Sequence, residues 1–321
     1  MLSEAPQEVA SEHVVSRAAW LRMGLLGVLV VAFYRTNLLQ LNDRLSDPNW
    51  TYGYMIPIFS LMLLYFWRDE LFSAPRSVNW WGLAVVLVAM ATKSGGEVIL
   101  RNAWIPQLSI PLMIWGLILW LCGSKVAKIC FVPVFYLALA MPWPDKLYNM
   151  VSLPLQNFAA QAAAAILKAF GVGITVTASN LDITTVSGKH ESLVVAEACS
   201  GIRSLLGFFA LGVAMAFVQP RHTWQRVVLI GGGIPIAIFT NVLRVGITAT
   251  MFVVDKREMG QDFMHSATGI VLMIPALLML FLLGSLLDAM YVDDDEDDED
   301  ETDDAESTDE QDEPNEQGGD E

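Results

Sequence analysis

The sequence predicts an all-α polytopic membrane protein of about eight transmembrane helices, with a small extramembrane cap and a disordered acidic C-terminal tail. Three observations predict it. Of 321 residues, 54% are hydrophobic and 17% charged, a membrane composition. Apolar runs long enough to cross a hydrocarbon core of ~30 Å recur along the chain. Charge is segregated: residues 293–321 hold 19 acidic groups and no Lys or Arg, while residues 1–292 hold 16 acidic and 19 basic groups, so a net of −16 hides a body of +3.

The N-terminal segment is read as residues 1–22, and tight pairs of basic residues close to span ends lean only weakly toward placing it in the cytoplasm. Met1 to Ser16 carries Glu4, Glu8 and Glu12 and lacks the basic n-region and cleavage site of a signal peptide, so the first apolar run reads as a retained span. The membrane-embedded body is read as residues 23–292. Its spans are Met23 to Leu39, Tyr52 to Trp67, Trp80 to Gly96 (interrupted by Lys93), Trp104 to Leu121, Val126 to Met141, Ala198 to Val218, Val227 to Val254 and His265 to Met290. An even span count puts both ends on one side. Basic residues are divided almost equally between the two sets of loops, so the positive-inside rule does not decide which side that is.

Residues 142–196 form the predicted cap. Met141-Pro142-Trp143-Pro144 stops the fifth span, since Pro lacks an N–H and restricts the residue before it. Leu155 to Phe170 is Ala-rich and predicts a helix lying in the interface or re-entering it, ended by Gly171 or Gly173. Ile174 to Val186 is rich in Thr, Val and Ile and predicts a short β-hairpin turning at Ser179-Asn180. A polar, turn-like segment 187–191 follows, and Leu193 to Ala196 leads into Glu197. The tail 293–321 has no apolar surface to bury and is expected to be disordered.

The function classes narrow quickly. Three cysteines, Cys122, Cys130 and Cys199, make no disulfide framework. Gly231-Gly232-Gly233 lies in an apolar run without the Lys-Ser/Thr of a phosphate loop and reads as helix packing or a hinge. No His/Cys/Asp/Glu cluster has metal spacing, and no metal, cofactor or nucleic-acid partner is expected.

The chemistry concentrates in three apolar runs. Cys199 falls in the first turn of the sixth span, entering from the cap side. Arg244 is 17 residues into the seventh span, a rise of roughly 25 Å, which returns it to the cap side. His265 opens the eighth span from that side again. Three antiparallel helices thus bring a thiol, a guanidinium and an imidazole into one leaflet, whichever side is outside. Acyl transfer by a thiolate needs such a set. A helix N-terminus and Arg244 would lower the thiol pKa, His265 would take its proton and return it to a leaving amine, and Arg244 would stabilise the thiolate or the tetrahedral oxyanion. Asn241, one turn before Arg244, would bond to the site or orient the Arg.

Each member also has a plainer reading. A Cys near a helix end is usually packing, and a His at a span end is usually interfacial. Arg244 resists such a reading best, because an Arg flanked by Val242, Leu243, Val245 and Gly246 needs a partner. Arg203 either supports the site or pairs with Glu197, and Glu197 itself suits an anchor or helix cap better than an acid. The rival function is a transporter, or an assembly protein for envelope polysaccharide, with Arg244 lining a solute path. Such a protein would spread polar residues through both leaflets, often in an internal repeat, and none is evident.

These residues resemble a known family. Glu197-Ala-Cys199-Ser-Gly-Ile-Arg203-Ser-Leu205, Asn241-Val-Leu-Arg244-Val and His265-Ser-Ala-Thr-Gly269 look like the exosortase/archaeosortase family. Asn49-Trp-Thr-Tyr-Gly-Tyr-Met-Ile-Pro57, Met141-Pro-Trp-Pro-Asp-Lys-Leu-Tyr-Asn149 and Ser152-Leu-Pro-Leu155 add support, and the resemblance covers about 45–290. It implies a membrane cysteine protease or transpeptidase acting outside the cytoplasmic membrane. Its substrates would be exported proteins ending in a sorting signal: a short motif such as Pro-Glu-Pro, a transmembrane helix and a basic cluster. Water, a lipid or a surface glycan would serve as acceptor. The implied triad is Cys199, Arg244 and His265; the His favours the exosortase side, since archaeal relatives can carry another Arg there. The implied orientation has cap and triad outside and both termini inside. Tyr52-Gly53-Tyr54 departs from the Ser-His-Gly that many relatives carry. The acidic tail either simply solvates the C-terminus or concentrates the basic cluster of a substrate electrostatically.

Overall fold

The computed structural model describes residues 17–99, 101, 104–195, 201–256, 258–259 and 268–290. Glu197, Cys199, His265 and the acidic tail lie outside them. The chain is a bundle of helices carrying one small sheet.

The first predicted span is divided. Helix α1 (Arg17–Phe33) stops at Tyr34, and α2 (Arg35–Leu45) leaves it at 68°. The composition changes across the bend: α2 carries Arg35, Asn37, Gln40, Asn42, Asp43 and Arg44. The Tyr34 ring is buried at the bend, with its hydroxyl 2.8 Å from Ser109 Oγ. A 3₁₀ turn (Thr51–Tyr54) leads into α3 (Met55–Phe66) and the short α4 (Arg68–Ser73).

Helices α5 (Trp81–Val98) and α6 (Trp104–Cys122) pack against each other along their length. A side chain at Gly82 would put its Cβ 2.2 Å from the Trp120 backbone nitrogen, so only glycine allows that approach. Lys93, which interrupts the third predicted span, is buried. Its Nζ lies 3.1 Å from Glu97, which also accepts from Asn37 Nδ2 at 3.0 Å. An ionisable group in an apolar helix thus finds its counter-charge one turn away.

The fifth predicted span is not one helix. It is broken into α7 (Ser124–Ile129), α8 (Phe131–Tyr136) and a 3₁₀ turn (Leu137–Ala140). The break at Cys130 comes three residues before Pro133, which has no N–H to give back to the preceding turn.

The cap corrects two expectations. Its helix, α9, starts ten residues earlier than predicted, at Asp145, directly after Pro144, and runs to Ala169. Its sheet has three antiparallel strands, not two: β1 (Ile174–Thr177), β2 (Asn180–Thr184) and β3 (His190–Val194), in the order β1-β2-β3. Thr177 pairs with Asn180, so the hairpin turns at Ala178-Ser179, one residue before the predicted position, with Ala178 at φ 57°. Strand β3 takes in part of the segment read as a polar turn. Its Leu193 is buried between exposed Ser192 and Val194, an alternation too short to stand out in the sequence.

Helix α10 (Ile202–Val218) turns back into α11 (Thr223–Val253), and α12 (Thr268–Ala289) follows. Of the predicted Gly231-Gly232-Gly233 run, the last two are at helix contacts and Gly231 faces open space; Gly212 adds a third contact. Gly212 lies against Leu229 and Ile230, Gly233 against the Phe208 carbonyl, and Gly232 against Leu283. At the far end Arg221 bonds both carboxylate oxygens of Asp288 at 2.7 Å, tying the α10–α11 turn to the end of α12.

Among the described residues, α6, α9 and α11 are long and apolar enough to cross a membrane, and the bent α1–α2 pair would be a fourth. Several other apolar helices, α10 among them, are shorter. Large apolar side chains such as Leu25, Leu61, Phe239 and Phe281 are exposed along the helices, a surface suited to lipid. One core lies under the cap. The alanines 159, 160, 163 and 164 of α9 meet Leu181, Ile183 and Leu193 of the sheet and Val245, Ala249 and Phe252 of α11. Helix α9 therefore packs on one face and exposes Met150, Leu153, Phe158 and Ile166 on the other; expected to lie in the interface or re-enter it, it has the length and apolar character to cross.

Candidate functional site

Gly201 begins α10 in the left-handed region, at φ 75°. Its carbonyl accepts the first helical bond from the Leu205 amide at 2.8 Å. A Cβ here would lie 2.7 Å from Asn241 Cγ and 2.8 Å from its Nδ2. The chain therefore turns into α10 over the Asn241 amide, with no room for a side chain at the point of contact.

This contact sets the register of the two helices. Helix α10 starts level with Asn241, and α11 continues another twelve residues to Val253, about 18 Å at 1.5 Å per residue. The overhang is the part of α11 that the sheet covers; the Val186 amide bonds the Val253 carbonyl at 2.9 Å. Arg244 and Thr248 lie on it. With Asn241 they stand at i, i+3 and i+7, one stripe of a helix. Asn241 is 4% exposed and Thr248 1%, while Arg244 is half-buried. Among the described residues, Asn241 Oδ1 and Thr248 Oγ1 have no hydrogen-bond partner. Buried polar atoms of this kind are few in native folds and call for an explanation. Glu197 and Cys199 belong to residues 196–200, which follow β3 in sequence and precede Gly201.

Arg203, in the first turn of α10, donates from Nη2 to Asn49 Oδ1 at 3.3 Å. Asn49 belongs to the turn after α2. Next to it, buried Trp50 lies with its ring 5.6 Å from that of Tyr148, and both share a core with Ile202 and Leu206. Two distant sequence motifs, 49–57 and 141–149, thus meet beneath the start of α10. The expected Glu197 partner of Arg203 lies outside the described residues, as do Cys199 and His265.

Where α9, α10 and α11 meet, Leu155, Phe158, Gly201, Leu205, Ile238 and Asn241 are among the residues around a crevice of about 10 Å³. That is about the space of one water. Just past the end of α11, Asp255 accepts from Ser187 Oγ at 2.9 Å, which links it to the β2–β3 loop. That bond holds its carboxyl below the usual carboxylate range. Among the described residues no group of three or more His, Cys, Asp and Glu side chains is placed to hold a metal ion.

The structure places Asn241 and Arg244 on α11 and Arg203 in the first turn of α10, and adds Thr248 on the same stripe and Asn49 as the Arg203 partner. Thr248 was legible as the next step of the polar stripe at i+7. Asn49 was not, since nothing local ties it to a residue 154 positions away.

The family model described as transmembrane exosortase matches residues 42–282. No curated protein and no solved structure matches the chain.

Proposed function

The chain belongs to the transmembrane exosortase family, and from that premise we propose that it is a membrane cysteine transpeptidase or protease that cleaves C-terminal sorting signals of exported proteins. Cys199 is the nucleophile, Arg244 the electrostatic partner and His265 the proton carrier. Asn241 and Arg203 are positioning residues, and Glu197 anchors the segment before the thiol. The site faces the extracytoplasmic side of the cytoplasmic membrane.

The observation that carries the reading is the Gly201–Asn241 contact. Cys199 is two residues from Gly201, at most about 7 Å of chain. Arg244 is one helical turn past Asn241 on the same stripe. A contact that glycine alone permits therefore supports a thiol and a guanidinium held in one neighbourhood.

The reaction follows. His265 takes the thiol proton, and the thiolate attacks the scissile carbonyl carbon. Arg244 stabilises first the thiolate, then the oxyanion. Collapse breaks the C–N bond, and the amine leaves with the proton from His265, which leaves a thioester on Cys199. An acceptor O–H or N–H attacks the thioester, its proton passes to His265, and the thiolate departs. Water gives hydrolysis; a lipid or glycan gives transfer.

The test uses the full chain in membranes with a reporter protein ending in Pro-Glu-Pro, an apolar helix and an Arg cluster. Wild type is expected to yield a cleaved reporter and a thioester detectable by mass spectrometry. Cys199→Ala and Cys199→Ser are expected to lose both and remain folded. Cleavage at the wild-type rate by Cys199→Ala would end the proposal.

A further inference from the structure

We infer that the outer edge of β3 is the docking strand for the substrate, which adds to the sheet as a fourth strand in extended form. This rests on the transpeptidase reading and goes further, to how the peptide is held.

The register shows which backbone groups are open. Thr184 donates its amide to Gly173 on the β1 side at 2.8 Å, so Asp182 and Asn180 also direct their backbone groups toward β1. Ile183 and Leu181 therefore face β3, where they pair with Glu191 and Leu193. The bonds Thr185 N–H to Lys189 C=O and Val195 N–H to Ser179 C=O continue that phase at both ends. His190, Ser192 and Val194 are left with N–H and C=O directed away from the sheet. Among the described residues these groups have no backbone partner, and all three residues are exposed.

Folded proteins protect such an edge with charge, proline or a bulge. Here the distal end has Lys189, His190 and Glu191, but the stretch nearer the site is Ser192-Leu193-Val194, neutral and regular, with Val194 55% exposed. An open edge of this kind recognises an extended peptide by its main chain, with side-chain contacts as the secondary term.

Two further facts select a substrate segment as the occupant. First, Cys199 follows β3 closely in sequence. It is five residues past Val194, at most about 18 Å of chain, so the end of a peptide laid along β3 falls within that distance of the thiol. Second, the direction fits. The sheet is tied at Val186 to Val253, the end of α11, and β3 then leads back to Gly201, level with Asn241. The strand therefore runs from the far end of the α11 overhang toward the membrane body. A sorting signal whose apolar helix follows its cleavage point enters the bilayer in the same direction. The docked segment is the extended stretch just before the scissile bond, running parallel to β3.

Two measurements test this on the full chain in nanodiscs, with the reporter described above. Ser192→Pro removes one outward N–H and obstructs a neighbouring strand, while proline is tolerated on an edge where that N–H faces out. It is expected to lower kcat/KM roughly tenfold or more, mainly through KM, with the melting temperature unchanged. A value within threefold of wild type in a folded variant would overturn the inference. In case Ser192→Pro does not fold, Ser192→Cys is paired with single cysteines placed through the reporter. Disulfide formation is expected only with positions up to about six residues before the cleavage point, and no cross-link there would also overturn it. The cross-link is read in a Cys199→Ala background, so it does not depend on catalysis. Cleavage by the otherwise wild-type chain without the cross-link sinks the docking strand alone. A cross-link in Cys199→Ala, with no cleavage when Cys199 is present, supports docking and sinks the enzyme.

Discussion

Gly201→Ala is the sharpest probe of the site, because the structure assigns its cost to two separate sources. The left-handed conformation at φ 75° costs a residue with a Cβ about 1–2 kcal/mol. The new Cβ also lies 2.7 Å from Asn241 Cγ, 2.8 Å from Nδ2 and 2.9 Å from Cβ. Contacts that close force a shift, and overpacking of this kind costs about 1–3 kcal/mol. The expected loss is therefore about 2–5 kcal/mol, measured by denaturant unfolding in mixed micelles, and thioester formation should slow as the start of α10 moves off α11. The second source can be removed separately. Asn241→Gly deletes all three clashing atoms at a helix-propensity cost of only about 0.3 kcal/mol, since Asn is already a poor helix former. The double variant Gly201→Ala/Asn241→Gly should then be more stable than the sum of the singles by about 1–3 kcal/mol. Strict additivity, or a Gly201→Ala protein within about 0.5 kcal/mol of wild type, would refute the account of how α10 is seated.

Arg244→Gln should lower kcat by about 10²–10³-fold and move the acid limb of the pH–rate profile to higher pH, because a thiol without its cation ionises later. A limb that stays in place would remove the guanidinium from the thiolate's surroundings. Asp255 gives a pH dependence of stability. The Ser187 bond holds its folded-state carboxyl below the ordinary value, so the ionised form favours folding at every pH above that value, and the contribution fades as pH falls through the depressed one. Asp255→Asn should flatten the acid end of a melting-temperature profile below about pH 4 and leave the neutral region nearly unchanged. An identical acid slope in both proteins would show that Asp255 does not contribute.

Much of the helical architecture was legible because it follows from local composition. Apolar length marked α5, α6, α10 and α11 to within a few residues, and Pro142 and Pro144 marked the end of the fifth segment. The misreadings were made where a distant contact overrides local pattern. The bend at Tyr34 places a buried phenol against Ser109, 75 residues away. Strand β3 is fixed by pairing with β2. Helix α9 takes its Ala face from the sheet and α11, so its early start at Asp145 carries no periodic signal.

The sequence by itself determined that this is a membrane chain of the exosortase kind, since hydropathy and the motifs around Cys199, Arg244 and His265 are properties of short windows. Tertiary structure alone decided that Gly201 sits on Asn241, that Arg203 reaches Asn49, and that α11 overruns the start of α10 far enough for Val245, Ala249 and Phe252 to pack against α9 and the sheet. Such matters depend on the relative axial position of helices, which is set by where backbones can approach each other. A linear pattern of apolar residues fixes each helix but not its offset from the next.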